Sequence, residues 1–539
     1  MFRPVTSDRL RWLLLAIAAL ALVFHSLAFN FVTDDAYISF VYSRNLAEHG
    51  ELSFNLGQPV EGYTNFLWTV VLGLLMLAGL PPELTSRVLG TACGVATLYV
   101  VFRAMERGLG RKSVWAVLPA LLLACSSGFA CWSSGGLETQ LFTLECAVAL
   151  DAVVAAETEP RALRRAGIAL AVAAMTRPEG LLVAAMLGLA RFVCNIVSRR
   201  GFLGIGWPEL RGAAWFLALW GPWFAWRYLY YGWPFPNTYY VKAYGPWARP
   251  DMAHEMWQNG LYYVWTWLEQ TKLLYVAPIA LVGLAAVRAR TPRFALGLSC
   301  ALLAAAYLPY AISVGGDFMG LHRFIMPMFV VAAIALVLGL EWLCSLLPPS
   351  ARVAVGVALS ILLVLGFAAT QALLTYHSVE WGNFANDRGI DTPAFLTVYT
   401  EDRAAIGRAM EGCFKDDDFS ILGGAGAQPY YGRMRGIDVF GLVSDRVAHE
   451  EPRIRARAGH TKFASDKLLA EYDPTFVFSC YEIHPTPDLP QPLPCNTGFW
   501  LARGYEQVTM HVPGLQQSGE YYTFLAKKAR DFQCPGRVH

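Results

Sequence analysis

Residues 12–29 read WLLLAIAALALVFHSLAF, and the chain then runs through Asn30 into Thr33-Asp34-Asp35-Ala36-Tyr37-Ile38-Ser39-Phe40. The apolar stretch is long enough to cross a bilayer core, which takes roughly 17 to 25 residues. Arg3, Arg9 and Arg11 precede it, and basic residues mark the cytoplasmic side of a span. The acidic pair therefore emerges at the outer face. Adjacent carboxylates are costly neighbours for lipid, so Asp34-Asp35 predicts chemistry done at the membrane surface.

The rest of the chain fits that start. Of 539 residues, 55% are hydrophobic and 16% charged, against about 25% charged in soluble domains. A net charge of +2 carries no nucleic-acid signal. Apolar runs fill the chain to residue 371, which divides it into a membrane part, 1–374, and a soluble extracytoplasmic α/β tail, 375–539. A cleaved signal peptide is the competing reading of residues 1–29. The length of the core, the many later spans and the lack of a small-x-small motif before Asn30 argue against it.

Charge orders the spans. Asn65–Leu80 is short and stopped by Pro81-Pro82, so it reads as a helix on or dipping into the outer face. Leu84–Phe102 then crosses inward and puts Arg103, Arg107, Arg111 and Lys112 in the cytoplasm. Val114–Phe129 goes out, Leu137–Ala156 returns, and Ala166–Met175 with Leu181–Val197 forms a hairpin. Gly212–Tyr230 leads to a long aromatic loop, Tyr231–Gln270. Leu273–Val287, Phe294–Ser313, Phe324–Leu340 and Ala351–Thr370 complete eleven spans, with the N-terminus inside and the tail outside. No fixed-period repeat or inverted pair of broken helices is visible.

In the tail, Thr400–Glu411 reads as a helix, and Phe419–Leu422, Thr475–Ser479 and Tyr521–Leu525 as buried strands. Seven cysteines lie in the membrane part and read as small apolar fillers. Cys413, Cys480, Cys495 and Cys534 lie in the tail, where two disulfides have three connectivities; Cys480–Cys495 is the pair to test first.

The strongly polar groups of the membrane part fall on the outer side in this topology. They converge as a site for a lipid-linked substrate must, with the headgroup at the interface and its chain between helices. Asp34 or Asp35 would take a hydroxyl proton during group transfer. Arg44, Arg177, Lys242, His322 and Arg323 are candidates to bind a leaving phosphate. Tyr37, Glu61, Tyr63, Asn65, Glu138, Glu179, Asn237, Tyr239 and Asp317 complete the substrate-binding set. Asp34 or Asp35 can also hold a divalent cation, a hard-oxygen site that two carboxylates alone do not establish.

Each group has a plainer reading. The Asp pair fits a helix N-cap, Glu61 a turn with Thr64 or Asn65 as the cap, and Glu138 a first helical turn. Arg177 and Glu179 can pair with each other, Trp233–Tyr240 can be an interfacial belt, and Gly315-Gly316-Asp317 can be a tight turn. In the tail, Gly423-Gly424-Ala425-Gly426 lacks dinucleotide spacing and reads as a loop. His449 and Gly459-His460-Thr461-Lys462 read either as acceptor contacts or, more plainly, as solvated surface.

Several blocks carry a family resemblance: Asp34-Asp35-Ala36-Tyr37-Ile38-Ser39-Phe40, Arg44-Asn45-Leu46-Ala47, Val60-Glu61-Gly62-Tyr63-Thr64-Asn65-Phe66-Leu67-Trp68, Gly136-Leu137-Glu138-Thr139, Thr176-Arg177-Pro178-Glu179-Gly180, Pro236-Asn237-Thr238-Tyr239-Tyr240 and Gly315-Gly316-Asp317 with His322-Arg323-Phe324. Tail blocks Gly424-Ala425-Gly426-Ala427, Pro429-Tyr430-Tyr431 and Ile437-Asp438-Val439-Phe440-Gly441-Leu442 extend it. Together they resemble a bacterial GT-C glycosyltransferase family that includes the mycobacterial terminal arabinofuranosyltransferase. That likeness implies a GT-C fold, a polyprenyl-phosphate sugar donor (a pentose such as arabinofuranose), an envelope glycan or lipid acceptor, and transfer outside the cytoplasm at the bacterial inner membrane. It makes one of Asp34 and Asp35 the catalytic carboxylate. The family usually has Arg where this chain has Val41, so the resemblance passes that cation's task to Arg44 or another residue, or implies a different donor. A transporter or flippase of lipid-linked sugars shares the many spans and is the alternative. A third reading makes the tail the active part and the membrane section a scaffold.

Overall fold

The computed structural model describes residues 4–198, 204–242, 250–285, 289–380, 382 and 389–538. Among them, six helices are long and apolar enough to cross a membrane: Asp8–Leu27, Pro82–Leu109, Gly180–Ser198, Pro292–Ser313, Arg323–Ser345 and Pro349–Val379. Two bent pairs bring that number to as many as eight: Val114–Cys125 with Ser127–Ser134, and Met252–Gln270 with Leu273–Ala285. Other segments with a span-like sequence form shorter helices, Thr139–Ala155 of 17 residues and Leu163–Thr176 of 14. Phe66–Leu77 has only 12 residues and ends before Pro81-Pro82, too short to span.

One sequence expectation is corrected here. Residues 231–270 are not a long aromatic loop: they include a short helix, Asn237–Lys242, and a 21-residue helix, Pro250–Gln270. Met252, Met256, Gly260, Tyr263 and Trp267 are buried along one side of the latter, while Trp257, Leu261 and Trp265 are exposed. That spacing of four, four, three and four residues is helical. The two bent pairs are broken helices. The bends are 64° and 90°, and neither break carries Gly or Pro. Ser126 takes an extended backbone and Lys272 a left-handed one with φ 56°.

Helices in lipid gain little from hydrophobic burial against one another and pack instead through small residues and polar contacts. Gly283 and Gly339 lie at such a crossing, where a Cβ on Gly339 would sit 1.9 Å from the Ile279 carbonyl oxygen. Ion pairs gather at one end of the bundle. Arg11 bonds Glu106 and Asp8, and both Arg111 and Arg293 bond Glu341, at 2.8 and 2.6 Å. The polar loops at the other end build the site described below.

The tail holds a five-stranded sheet: β1 (Ser420–Leu422), β2 (Gly436–Asp438), β3 (Phe476–His484), β4 (Tyr505–His511) and β5 (Tyr521–Lys527), in the order β2-β1-β3-β5-β4. β1 runs parallel to β2 and β3, and β5 antiparallel to β3 and β4. Side chains alternate faces along a strand, and the two faces have different partners. Ile421, Val477 and Leu525 join Trp500 and Leu468 in a core internal to the tail. Leu422, Phe476, Phe478 and Phe524 share a second core with Ile38, Val41, Tyr42, Phe54 and Tyr63 of the membrane part. Both faces are therefore buried, which is why the strands read as near-continuous apolar runs. Val41 is 2% exposed in that shared core, an environment closed to a cation.

Cys413 pairs with Cys534, and Cys480 with Cys495. The first bridge spans a sequence separation of 121. Chain-entropy arguments give about 4–5 kcal/mol for closing a loop of that size. Replacing both Cys413 and Cys534 with Ser is expected to cost the tail about 4 kcal/mol, read as a lower denaturation midpoint of the full chain under non-reducing conditions.

Candidate active site

A cavity with about 1050 Å³ of atom-free space, counting its open mouth, lies between the polar loops and the tail. Asp35, Tyr63, Asn65, Glu138, Arg177, Glu179, Tyr239, Lys242, Asp317 and Arg323 line it, ten of the residues singled out from sequence. The first helix after the apolar start, Asp34–His49, carries Asp35, Ile38 and Ser39 into this cavity at helical spacing.

Most charges on the wall are already matched. Arg177 donates to Glu138 at 2.7 Å and to Glu179 at 3.2 and 3.3 Å, and its guanidinium sits over the rings of Phe142 and Phe324. Glu138 also accepts from Asn65 Nδ2 at 2.8 Å. Asn65 Oδ1 in turn accepts from Ser39 and Thr69 at 3.0 and 3.2 Å. Arg323 donates to Asp317 at 2.6 Å and lies over Trp132. Gly315 and Gly316, with φ of 82° and 74°, make the tight turn that delivers Asp317. Among the described residues, Asp35 is the lining carboxylate, and Lys242 the lining cation, that forms no hydrogen bond or ion pair, although Asp35 acts through space on Arg323.

The remaining sequence candidates lie elsewhere. Asp34 turns towards the tail, where its Oδ1 accepts the Ala427 N–H at 2.8 Å. Burial raises its carboxyl to about 6, against the lowering effect of that N–H. The helix N-cap is Thr33, and it makes no side-chain capping bond, so the Asp pair is not a cap. Tyr37 packs against Tyr430 and Tyr431. Arg44 donates to the Tyr430 carbonyl at 2.7 Å, which removes it as a cation of the cavity. Glu61 takes a bidentate bond from Arg227 at 2.5 and 2.8 Å. Asn237 donates to Asp445 at 2.9 Å. His322 bonds Gln270 at 3.0 Å and lines a smaller cavity with Asp391, on the other side of the loop that carries Asp317.

His449 and the 459–462 segment are not solvated surface. His449 stacks on Trp233 with ring centroids 3.7 Å apart. His460 is wedged between Phe318 and Phe440, and burial pushes its imidazole down to about 3. Thr461 donates to the Val241 carbonyl. Tail residues Leu442 and Gly459 line the cavity. Thr64, Thr238 and Tyr310 also line it. The threonines lie within quoted motifs, whereas Tyr310 is one aromatic residue in an apolar span and gives no sequence signal. Arg227 did give one, as a charge inside a predicted span. No group of three or more His, Cys, Asp or Glu side chains that could hold a metal ion occurs among the described residues.

The architecture has solved counterparts. ArnT from Cupriavidus metallidurans bound to undecaprenyl phosphate superposes with a TM-score of 0.57 at 15% identity, over 95% of this chain and 97% of that one. Its apo state gives 0.57 at 14% identity, over 96% and 98%. The chain has the GT-C fold of ArnT. No family model matches the sequence, and no curated protein does. The ArnT likeness covers both the helical part and the tail with its sheet.

Proposed function

We propose that this protein is an integral-membrane glycosyltransferase that moves a sugar from a polyprenyl-phosphate donor to a cell-envelope glycan or lipid, at the outer face of the inner membrane. The observation that carries the reading is that, among the described residues, Asp35 and Lys242 are the carboxylate and the cation on the wall of one cavity that form no hydrogen bond or ion pair. In this mechanism Asp35 accepts the proton of the acceptor hydroxyl as that oxygen bonds to the anomeric carbon. The bond from the anomeric carbon to the phosphate oxygen breaks, and the polyprenyl phosphate leaves with that electron pair. Lys242 meets the departing phosphate, with Arg323 adding positive potential from its pair with Asp317.

The polyprenyl donor is supported by the ArnT structure, which is bound to undecaprenyl phosphate. A pentose such as arabinofuranose is supported by the motif resemblance. Residues 1–374 act as the catalytic membrane part and 375–539 as its extracytoplasmic cover, with the N-terminus in the cytoplasm.

The reading is tested by mass spectrometry of lipid-linked intermediates in a deletion strain. A polyprenyl-phosphate sugar that accumulates and is consumed on adding back the wild-type chain is the expected result; an unchanged lipid pool overturns it. Lys242→Gln removes one charge-assisted contact, worth roughly 1.5–3 kcal/mol. Binding of undecaprenyl phosphate is therefore expected to weaken roughly 10- to 100-fold, measured on purified protein by intrinsic tryptophan fluorescence.

A further inference from the structure

The two adjacent aspartates face different halves of the molecule. Asp35 lines the cavity. The Asp34 carboxylate is clasped by the tail: Oδ1 accepts the Ala427 N–H at 2.8 Å, and Gly426 passes so close that a Cβ there would lie 2.2 Å from Oδ2 and 2.3 Å from the Asp34 carbonyl oxygen. Gly424 approaches the same carboxylate, a Cβ there being 3.5 Å from Oδ2.

The start of this helix has few other ties. Its N-cap, Thr33, makes no side-chain capping bond, and the buried Thr33 hydroxyl has no partner. From the membrane side, the Thr33 N–H donates to the Gly135 carbonyl at 3.2 Å. The first turn is thus held between the Gly135 carbonyl on one side and the Gly424–Ala427 loop on the other. Whatever fixes that turn fixes the direction in which Asp35 enters the cavity. The close approach also explains a glycine-rich segment whose spacing suits no nucleotide.

We infer that Asp34 is a positioning residue: by clasping the Gly424–Ala427 loop of the tail it holds the first helical turn in the geometry that aims Asp35 at the acceptor hydroxyl. The inference rests on the glycosyltransferase reading above. A displacement of about 1 Å at a reacting group costs on the order of 100-fold in rate, so the clasp makes the tail a working part of catalysis.

Three variants of the full chain test it. Asp34→Asn keeps an oxygen that can accept the Ala427 N–H. Asp34→Ala removes the acceptor, and Gly426→Ala drives a methyl group into the carboxylate. Transfer from an undecaprenyl-phosphate-linked pentose is compared with binding of undecaprenyl phosphate alone. The expected result is a kcat about 100-fold lower for Asp34→Ala and Gly426→Ala, with Asp34→Asn within about 3-fold of wild type and phosphate-lipid binding within about 2-fold in all three. Hydrogen–deuterium exchange supplies a readout independent of any substrate. Amides of 33–38 and 424–430 should exchange faster together in Asp34→Ala and in Gly426→Ala, and not in Asp34→Asn. An Asp34→Asn enzyme as inactive as Asp34→Ala, with unchanged exchange, overturns the clasp and gives the Asp34 charge a direct chemical role. Coupled exchange without any glycosyl transfer by the wild type overturns the functional reading and leaves the clasp standing.

Discussion

Asp35→Asn is expected to lower glycosyl transfer about 10²- to 10⁴-fold, the range associated with losing a general base. The amide is nearly isosteric, and Asp35 forms no hydrogen bond or ion pair among the described residues. Folding, monodispersity and undecaprenyl phosphate binding should therefore survive, and the loss should lie in kcat. The contrast with its neighbour sharpens the test. Asp34→Asn retains its acceptor oxygen and should stay close to wild type, although the two residues are adjacent and both were read from sequence as one motif. Equal transfer by wild type and Asp35→Asn would exclude Asp35 as the base. A fall in phosphate-lipid binding that matches the fall in rate would place it in ground-state binding instead.

Arg177→Met should have the largest effect on stability. Arg177 bridges Glu138 and Glu179, whose side chains are 3% and 6% exposed. Removing the cation strands two carboxylates in a buried environment. Breaking such a pair costs about 3–5 kcal/mol, more than the pair itself contributes over a well-packed apolar replacement. The expected outcome is a sharply lower melting midpoint and poor recovery of monodisperse protein. Adding Glu138→Gln and Glu179→Gln to Arg177→Met should restore much of the midpoint, because neutral amides no longer need the counter-charge. A stable Arg177→Met protein that has lost undecaprenyl phosphate binding would instead assign Arg177 to the donor phosphate.

The helical membrane architecture was legible in the sequence because span length and loop charge act locally and strongly. The hairpin around Arg177, the short Phe66–Leu77 helix and three of the tail strands follow from length, proline stops and apolar runs. β2 and β4 were not legible. Gly436–Asp438 is only three residues long, and Tyr505–His511 has the mixed burial of a strand at the end of the sheet order. The Pro250–Gln270 helix was masked by its aromatic content, which reads equally as an interfacial belt, even though the buried spacing was helical all along.

The site was legible as a set of residues and not as a geometry. Ten of the predicted side chains line one cavity. Sequence could not separate groups with free charge from those already matched, because the partners lie far away along the chain. Arg227 meets Glu61 across 166 positions, and Arg44 meets the Tyr430 carbonyl across 386. The family motif likewise cannot tell Asp34 from Asp35. Only the path of the Gly424–Ala427 loop does that, nearly 400 residues downstream (Ala427 lies 393 positions after Asp34).

The core shared across one face of the tail sheet bears on how this architecture can be recombined. Leu422, Phe478 and Phe524 interlock with Ile38, Val41 and Tyr42, and Leu442 and Gly459 help to wall the cavity. A tail transplanted from a distant relative would bring the wrong surface to the Asp34–His49 helix and leave a mismatched seam beside the cavity. Working chimaeras should exchange residues 31–65 together with the tail, as one inherited block. Exchanging the tail alone is closed to this chain.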